Sequence, residues 1–323
     1  MGEWLRARRT PSRILLMDPI LREFPKPVNR ACRRDALPLA IALGIAIALP
    51  ATTGAVGLRA APQTAGPGDV VVLWTTATEP LKEARVDVFD HVVPMWSAGS
   101  ATRWMTLVGV DVETRPGRYP VIVRGISRDG QPTVTRTALT VIRKVFGTRR
   151  LRVDPRFSEP PASERLRIEQ EAQRLSAIFS GASGERYWSG SIEAPVRTRT
   201  SSPFGLRSVF NGEPRSRHNG VDFASAAGVA VHAPAAGRVV LAEALYFTGN
   251  TVVIDHGHGL YSLLAHLERA TVAEGARVPR GEVVGFVGAT GRATGPHLHW
   301  SVRLQGARVD PLSLVKRTCA PTR

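Results

Sequence analysis

Apolar and polar positions alternate with a period of two over most of the chain after residue 60, which is the signature of half-buried β-strands. VVVLW at 70–74, EARVDVF at 83–89, WMTLVGVDV at 104–112, YPVIVRGI at 119–126 and TVTRTALTVIR at 133–143 read as strands, separated by turn signals such as RPG and RDGQP. That spacing predicts a small antiparallel sandwich, Ig-like, over 60–146. Its only histidine is His91, and nothing in it points to catalysis, so it reads as a spacer or binding module. GTRRLRVDPRFSEPP then packs four arginines and three prolines into 147–161, the composition of an extended tether. Within a connector spanning 147–195, Ile168, Ala172, Leu175 and Phe179 recur at helical spacing and predict a helix over 163–179 whose apolar face docks on a neighbour. A second run of strands and turns follows: VAVHAP, GRVVLAEAL, GNTVVIDHG, LYSLLAHL, GEVVGFVG and HLHWSV. No helical pattern of useful length interrupts it, so this region is expected to be all-β.

The N-terminus breaks the pattern. Residues 36–49, ALPLAIALGIAIAL, are uncharged, preceded by Arg30, Arg33 and Arg34 and followed by small residues. This is the layout of an export signal; extended through Val56 it approaches the length of a membrane anchor. Residues 1–58 are therefore expected to be a tail plus a signal peptide or anchor, with Met17 an alternative start. Everything beyond would be exported to the periplasm or cell envelope, tied to the inner membrane if the segment is not cleaved.

Charge narrows the partners. A formal net charge of +16 favours polyanions, whether nucleic acid, anionic lipid surfaces or anionic cell-wall polymers; no nucleic-acid-binding signature is present, and nucleic acid is not expected as a partner. The two cysteines, Cys32 and Cys319, are too few for a disulfide framework.

Seven of the eight histidines fall after residue 194, so the chemistry is sought there. In GPHLHW, His297 and His299 sit two apart on a strand and share a face; two adjacent imidazoles imply a bound metal or a proton-transfer site. His218 and Asp222, in RHNGVDF, supply a histidine and a carboxylate, a common pair around catalytic zinc. His266, in LLAHLE, is a third candidate, although a histidine after an apolar strand is ordinarily a packed one.

Together RHNGVDF, LLAHLE and GPHLHW resemble the HxxxD, H and HxH motifs of the lysostaphin/LytM-type zinc endopeptidases. The likeness runs in order through about 196–312, including GVAVHAPAAGRVV, GNTVVIDHGHGLYSLLAHL and VGATGRATGPHLHWSV. It implies a mainly β protein with a C-terminal antiparallel peptidase domain over 196–315 that holds one zinc ion per chain. By the resemblance His218, Asp222 and His299 ligate the metal, and His266 and His297 stand unligated as catalytic groups whose roles stay undivided. The implied activity is hydrolysis of peptide bonds in peptidoglycan cross-links or stem peptides. Two other readings stay open: a non-catalytic regulator of cell-wall amidases, as in family members that have lost ligands, and a secreted protease acting on proteins. His232, His256 and His258 are expected to be structural.

Overall fold

The computed structural model describes residues 57–152, 160–181 and 184–319. The expected signal or anchor at 36–56, the alternative start at Met17 and Cys32 lie outside the described residues, among which no helix is long and apolar enough to cross a membrane.

Two sheets make up the N-terminal region. One carries Gly57–Ala61, Val70–Thr76, Arg103–Gly109 and Trp96–Ser100 in that order, and the other Thr64–Ala65, Pro132–Val141, Gly117–Ser127, Leu81–Val88 and His91–Pro94. They bury Val71, Leu73 and Val108 against Val86, Val121, Val123 and Leu139, the two-sheet arrangement that the alternation predicts. The unbroken apolar run of VVVLW has its own reason. Val71 and Leu73 face the sandwich core, while Val70 and Val72 face outward and join Leu107 in a second core shared with the C-terminal sheet. Around that seam Asp111 takes two guanidinium hydrogen bonds from Arg308, at 2.7 and 3.0 Å. Asp310 donates its N–H to the Gly68 carbonyl. The sandwich is thus packed onto its neighbour rather than tethered to it.

The connector departs from the extended tether expected at its start. Thr148–Leu151 is a strand, parallel to Arg207–Phe210, which in turn pairs antiparallel with Glu213–Arg217. Asn211 and Gly212 close that hairpin with φ of 52° and 88°, the backbone a two-residue hairpin turn requires and that Asn-Gly adopts readily. Further on, a short 3-10 turn at Ala162–Glu164 leads into a helix at Arg165–Ser180. Its Leu175 and Phe179 pack on Leu241, Leu245, Val253, Tyr261 and Leu263, so the apolar stripe docks as its spacing predicts.

The C-terminal sheet has ten strands. Its main path runs Thr200–Ser202, Gly220–Phe223, Leu298–Leu304, Leu260–Ala270, Gly249–Gly257, Gly237–Leu245 and Arg277–Val278. One face, with Val221, Val252, Ile254, Leu264 and Trp300, forms the core shared with the sandwich. The other carries Val253, Leu263 and Ala265 under the Arg165–Ser180 helix. The all-β expectation for this region is corrected at its end by a helix at Pro311–Cys319. Asp310 accepts the Leu312 N–H at 3.0 Å, and proline fits the first helical position because its missing N–H would have had no partner there. Only Pro311 and Leu314 of that helix are buried, too few to leave a periodic signal.

His256 lies in the shared core, fully buried. Its Nδ1 donates to the Ala236 carbonyl at 3.0 Å, and Nε2 accepts from the Ser262 hydroxyl at 3.0 Å, which also receives the Trp300 indole N–H at 3.2 Å. Burial pushes this imidazole down to about 4 against the bond to Ala236, so it stays neutral where an unfolded histidine, at about 6.5, already charges. Between those values the unfolded chain binds a proton that the folded chain refuses. Stability is therefore full above pH about 6.5 and falls as pH drops toward 4, by on the order of 3 kcal/mol. Urea midpoints measured from pH 7 downward are expected to fall more steeply for the natural chain than for His256→Asn; equal slopes would refute the assignment.

Candidate metal centre

The site is assembled on the helix-bearing face of the C-terminal sheet. Residues directly opposite one another on antiparallel strands share a face, and both Asp222 and Ala265 stand opposite His299. Val221 and Trp300 alternate into the core behind that face.

His218 is held at the root of the hairpin. Its N–H bonds the Leu206 carbonyl, and its carbonyl takes the Gly205 N–H. Nδ1 lies 3.0 Å from the Pro203 carbonyl oxygen. A carbonyl only accepts, so Nδ1 carries the proton and Nε2 turns a lone pair inward. That Nε2 lies 3.0 Å from Asp222 Oδ1 and 3.1 Å from His299 Nδ1, and the last two atoms are 2.8 Å apart. The two residues four apart in sequence meet because the chain between them turns into a strand, not because of helical spacing.

Gly220 is what allows that approach. A Cβ there would lie 2.3 Å from the Trp300 carbonyl oxygen and 2.9 Å from His299 Cε1, inside any tolerable contact. Gly220→Ala is therefore expected to cost about 1–3 kcal/mol of stability through overpacking and to weaken metal binding by displacing His299. Chemical denaturation beside zinc titration would check it; unchanged stability and affinity would show that the strands separate freely here.

The electrostatics suit a cation. Burial raises the Asp222 carboxyl, but the hydrogen bonds and charges of His218 and His299 outweigh it and hold the group well below the usual carboxylate range. Burial also lowers His299, against the Asp222 bond, which favours the neutral imidazole that ligates. Two imidazole nitrogens and one carboxylate oxygen, brought together by separate elements, form the kind of donor set that fits a catalytic zinc with an open position.

Two further histidines stand beside this cluster. His266 has φ of 60°, a left-handed conformation that costs a non-glycine residue about 1–2 kcal/mol. It is fixed by its N–H on Thr248, its carbonyl under the Gly288 N–H, and Nδ1 donating to the Thr290 carbonyl at 2.9 Å. Pairing with the Gly249–Gly257 strand shifts register between Leu264 and Leu267, the stretch that contains it, and such a bulge re-aims a side chain that alternation would send elsewhere. The His266 ring centre consequently lies 4.6 Å from that of His297 and 6.1 Å from that of His299. His297 precedes the Leu298–Leu304 strand, bridged to Gly288, with Nδ1 donating to the Gly295 carbonyl at 2.9 Å. In both of these histidines Nε2 is left as the proton acceptor. Burial, with the charge of His299, holds His266 down to about 4.

All five residues singled out from the sequence therefore lie together. The remaining histidines do not join them: His256 is in the core, His232 donates to the Gly281 carbonyl, His258 lies near Trp96 and Arg186, and His91 begins an edge strand of the sandwich. The packing role of Gly220 and the three carbonyls that fix the imidazoles were not legible in the sequence. Of these, only the glycine inside RHNGVDF was visible in the motif.

A β-sheet carrying a His-Asp-His cluster with two more histidines beside it defines the class of protein. Residues 216–311 match the family described as Peptidase family M23. A crystal structure of a peptidase M23 from Pseudomonas aeruginosa is 34% identical, with a TM-score of 0.59, over 77% of this chain and 93% of that one. The chain belongs to peptidase family M23. Among curated relatives, the DD-carboxypeptidase/endopeptidase Mpg of Neisseria meningitidis serogroup B is 44% identical over 127 residues, 39% of this chain and 29% of Mpg. The peptidoglycan DD-endopeptidase ShyA of Vibrio cholerae is 38% identical over 115 residues, 35% of this chain and 27% of ShyA. The chain spans under a third of the length of these two relatives.

Proposed function

We propose that this chain is a zinc endopeptidase that hydrolyses peptide bonds in peptidoglycan cross-links or stem peptides in the cell envelope. The observation that carries the reading is the convergence of His218 Nε2, Asp222 Oδ1 and His299 Nδ1 within 3.1 Å of one another, beside two imidazoles whose Nδ1 protons are already engaged. In this reading residues 1–58 are a tail and a signal peptide or membrane anchor, the last two of them already paired in the first strand of the sandwich, followed by the sandwich at 60–146, the connector with its helix at 147–195 and the peptidase unit at 196–315.

His218, Asp222 and His299 would hold the ion. Zinc bound there supplies Lewis acidity, which polarises a scissile carbonyl and makes water a nucleophile near neutral pH. Hydrolysis places a hydroxyl on the carbonyl carbon and a proton on the leaving nitrogen. His266 and His297 each present Nε2 as a base for the proton that water loses, and the imidazolium so formed can donate it to the amine. The neighbouring ring can meet the developing oxyanion as a donor only in its imidazolium form, in which Nε2 also carries a proton. The carbonyls of Thr290 and Gly295 hold the Nδ1 proton of both rings and so leave Nε2 free to accept the proton that water loses. A net charge of +16 favours adsorption to an anionic wall. A non-catalytic amidase regulator would need neither ligands nor bases, and the full set argues against it.

Treatment with a chelator is expected to abolish release of soluble peptides from purified sacculi, and stoichiometric zinc to restore it. Activity indifferent to chelation would overturn the proposal.

A further inference from the structure

The three-stranded sheet that ends at His218 has a strongly basic face that the site does not use. Arg150 stands opposite Val209, and Val209 opposite Pro214. With Arg152, Asn211 and Gly212 these residues line an open depression of about 820 Å³. Arg207, two positions from Val209, falls on the same face by alternation. Arg150, Arg152 and Arg207 are exposed, and among the described residues no ion pair engages them. Arg217, by contrast, is neutralised by Glu113 at 3.5 Å and stacks on Phe146. Glu213 pairs with Phe210 and so falls on the opposite face. Pro214, on the floor of the depression, is four residues of strand from His218, at most about 13 Å.

We infer that this face is an extended subsite for a carboxylate-bearing peptide strand, and that it anchors the free carboxylates of peptidoglycan stem peptides while a neighbouring bond lies at the His-Asp-His cluster. The inference rests on the peptidoglycan reading above. Guanidinium forks match carboxylates in geometry as well as charge, and Val209 with Pro214 offers apolar contact to the aliphatic part of such a peptide. The hairpin is rigid at its root, where Gly205 and Leu206 bond His218, so a chain held on it keeps a fixed distance from the site.

The test is cosedimentation of the full chain with purified sacculi in the cold, alongside an Arg150→Gln, Arg152→Gln, Arg207→Gln triple variant and the corresponding triple lysine variant. Sacculi whose carboxylates have been amidated and vesicles containing phosphatidylglycerol provide the other arms. Affinity for native sacculi is expected to fall about tenfold in the glutamine variant and to be partly kept by lysine. Amidation should weaken the natural chain to the same level without further weakening the glutamine variant. Equal binding of natural and glutamine proteins to native sacculi overturns the inference, as does a loss confined to vesicles, which would mark the face as a lipid contact. If the natural chain releases peptides from sacculi while the arginines prove irrelevant, the subsite alone fails; if it neither binds nor cleaves sacculi, the peptidoglycan reading fails with it.

Discussion

Asp222→Ala is expected to empty the site. Zinc retained after dialysis is expected to fall from one ion per chain to near none, and hydrolysis of sacculi to background. The reason is geometric as well as electrostatic: Asp222 Oδ1 is the one atom that touches both His218 Nε2 and His299 Nδ1. Without it, two imidazole nitrogens 3.1 Å apart face each other with no anion to balance a dication. The fold should survive, because the core behind the site rests on Val221, Trp300 and Leu264 rather than on Asp222. Metal analysis together with a thermal melt in the presence of chelator separates the two effects. A variant that keeps stoichiometric zinc would exclude Asp222 as a ligand.

His297→Ala and His266→Ala are expected to do the opposite, keeping the zinc while lowering kcat by about 10²–10⁴ each. Neither ring is needed to complete the donor set, yet their centres lie 4.6 Å apart beside it. If the two share one proton path, the double variant should be little worse than either single one. His266→Gly is the better control at that position, since glycine accepts φ of 60° without strain. Steady-state rates on a synthetic cross-link peptide, with zinc content measured on the same preparations, decide the matter. Loss of zinc in either variant would make that histidine a ligand; an unchanged kcat in both would remove them from the chemistry.

The strands that alternate were legible in the sequence, and so was the docked helix, because Leu175 and Phe179 show their burial in their spacing. VVVLW was legible as a strand but not as a seam: a run buried on both faces carries no period. The helix at Pro311–Cys319 escaped because so little of it is buried, and the strand at Thr148–Leu151 because arginines on an exposed sheet look like a solvated linker. In the site, the shared face of the HxH pair follows from the strand period. The meeting of Asp222 with His299 does not, because it depends on which strands pair and in what register. His266 was least legible of all: its position depends on a bulge and a left-handed backbone that no spacing rule encodes, so the residues offered it only as a candidate whose ordinary reading is a packed histidine, and the motif resemblance gave it a role.

The central claim is that these five residues cut peptide bonds in peptidoglycan, and the masses of muropeptides from sacculi digested with zinc-loaded full-length chain test it most directly. Cross-linked dimers are expected to disappear with a matching gain of monomers, or stem peptides to shorten, each cut adding one water, and none of this with Asp222→Ala. A muropeptide profile unchanged by the zinc-loaded chain would contradict it.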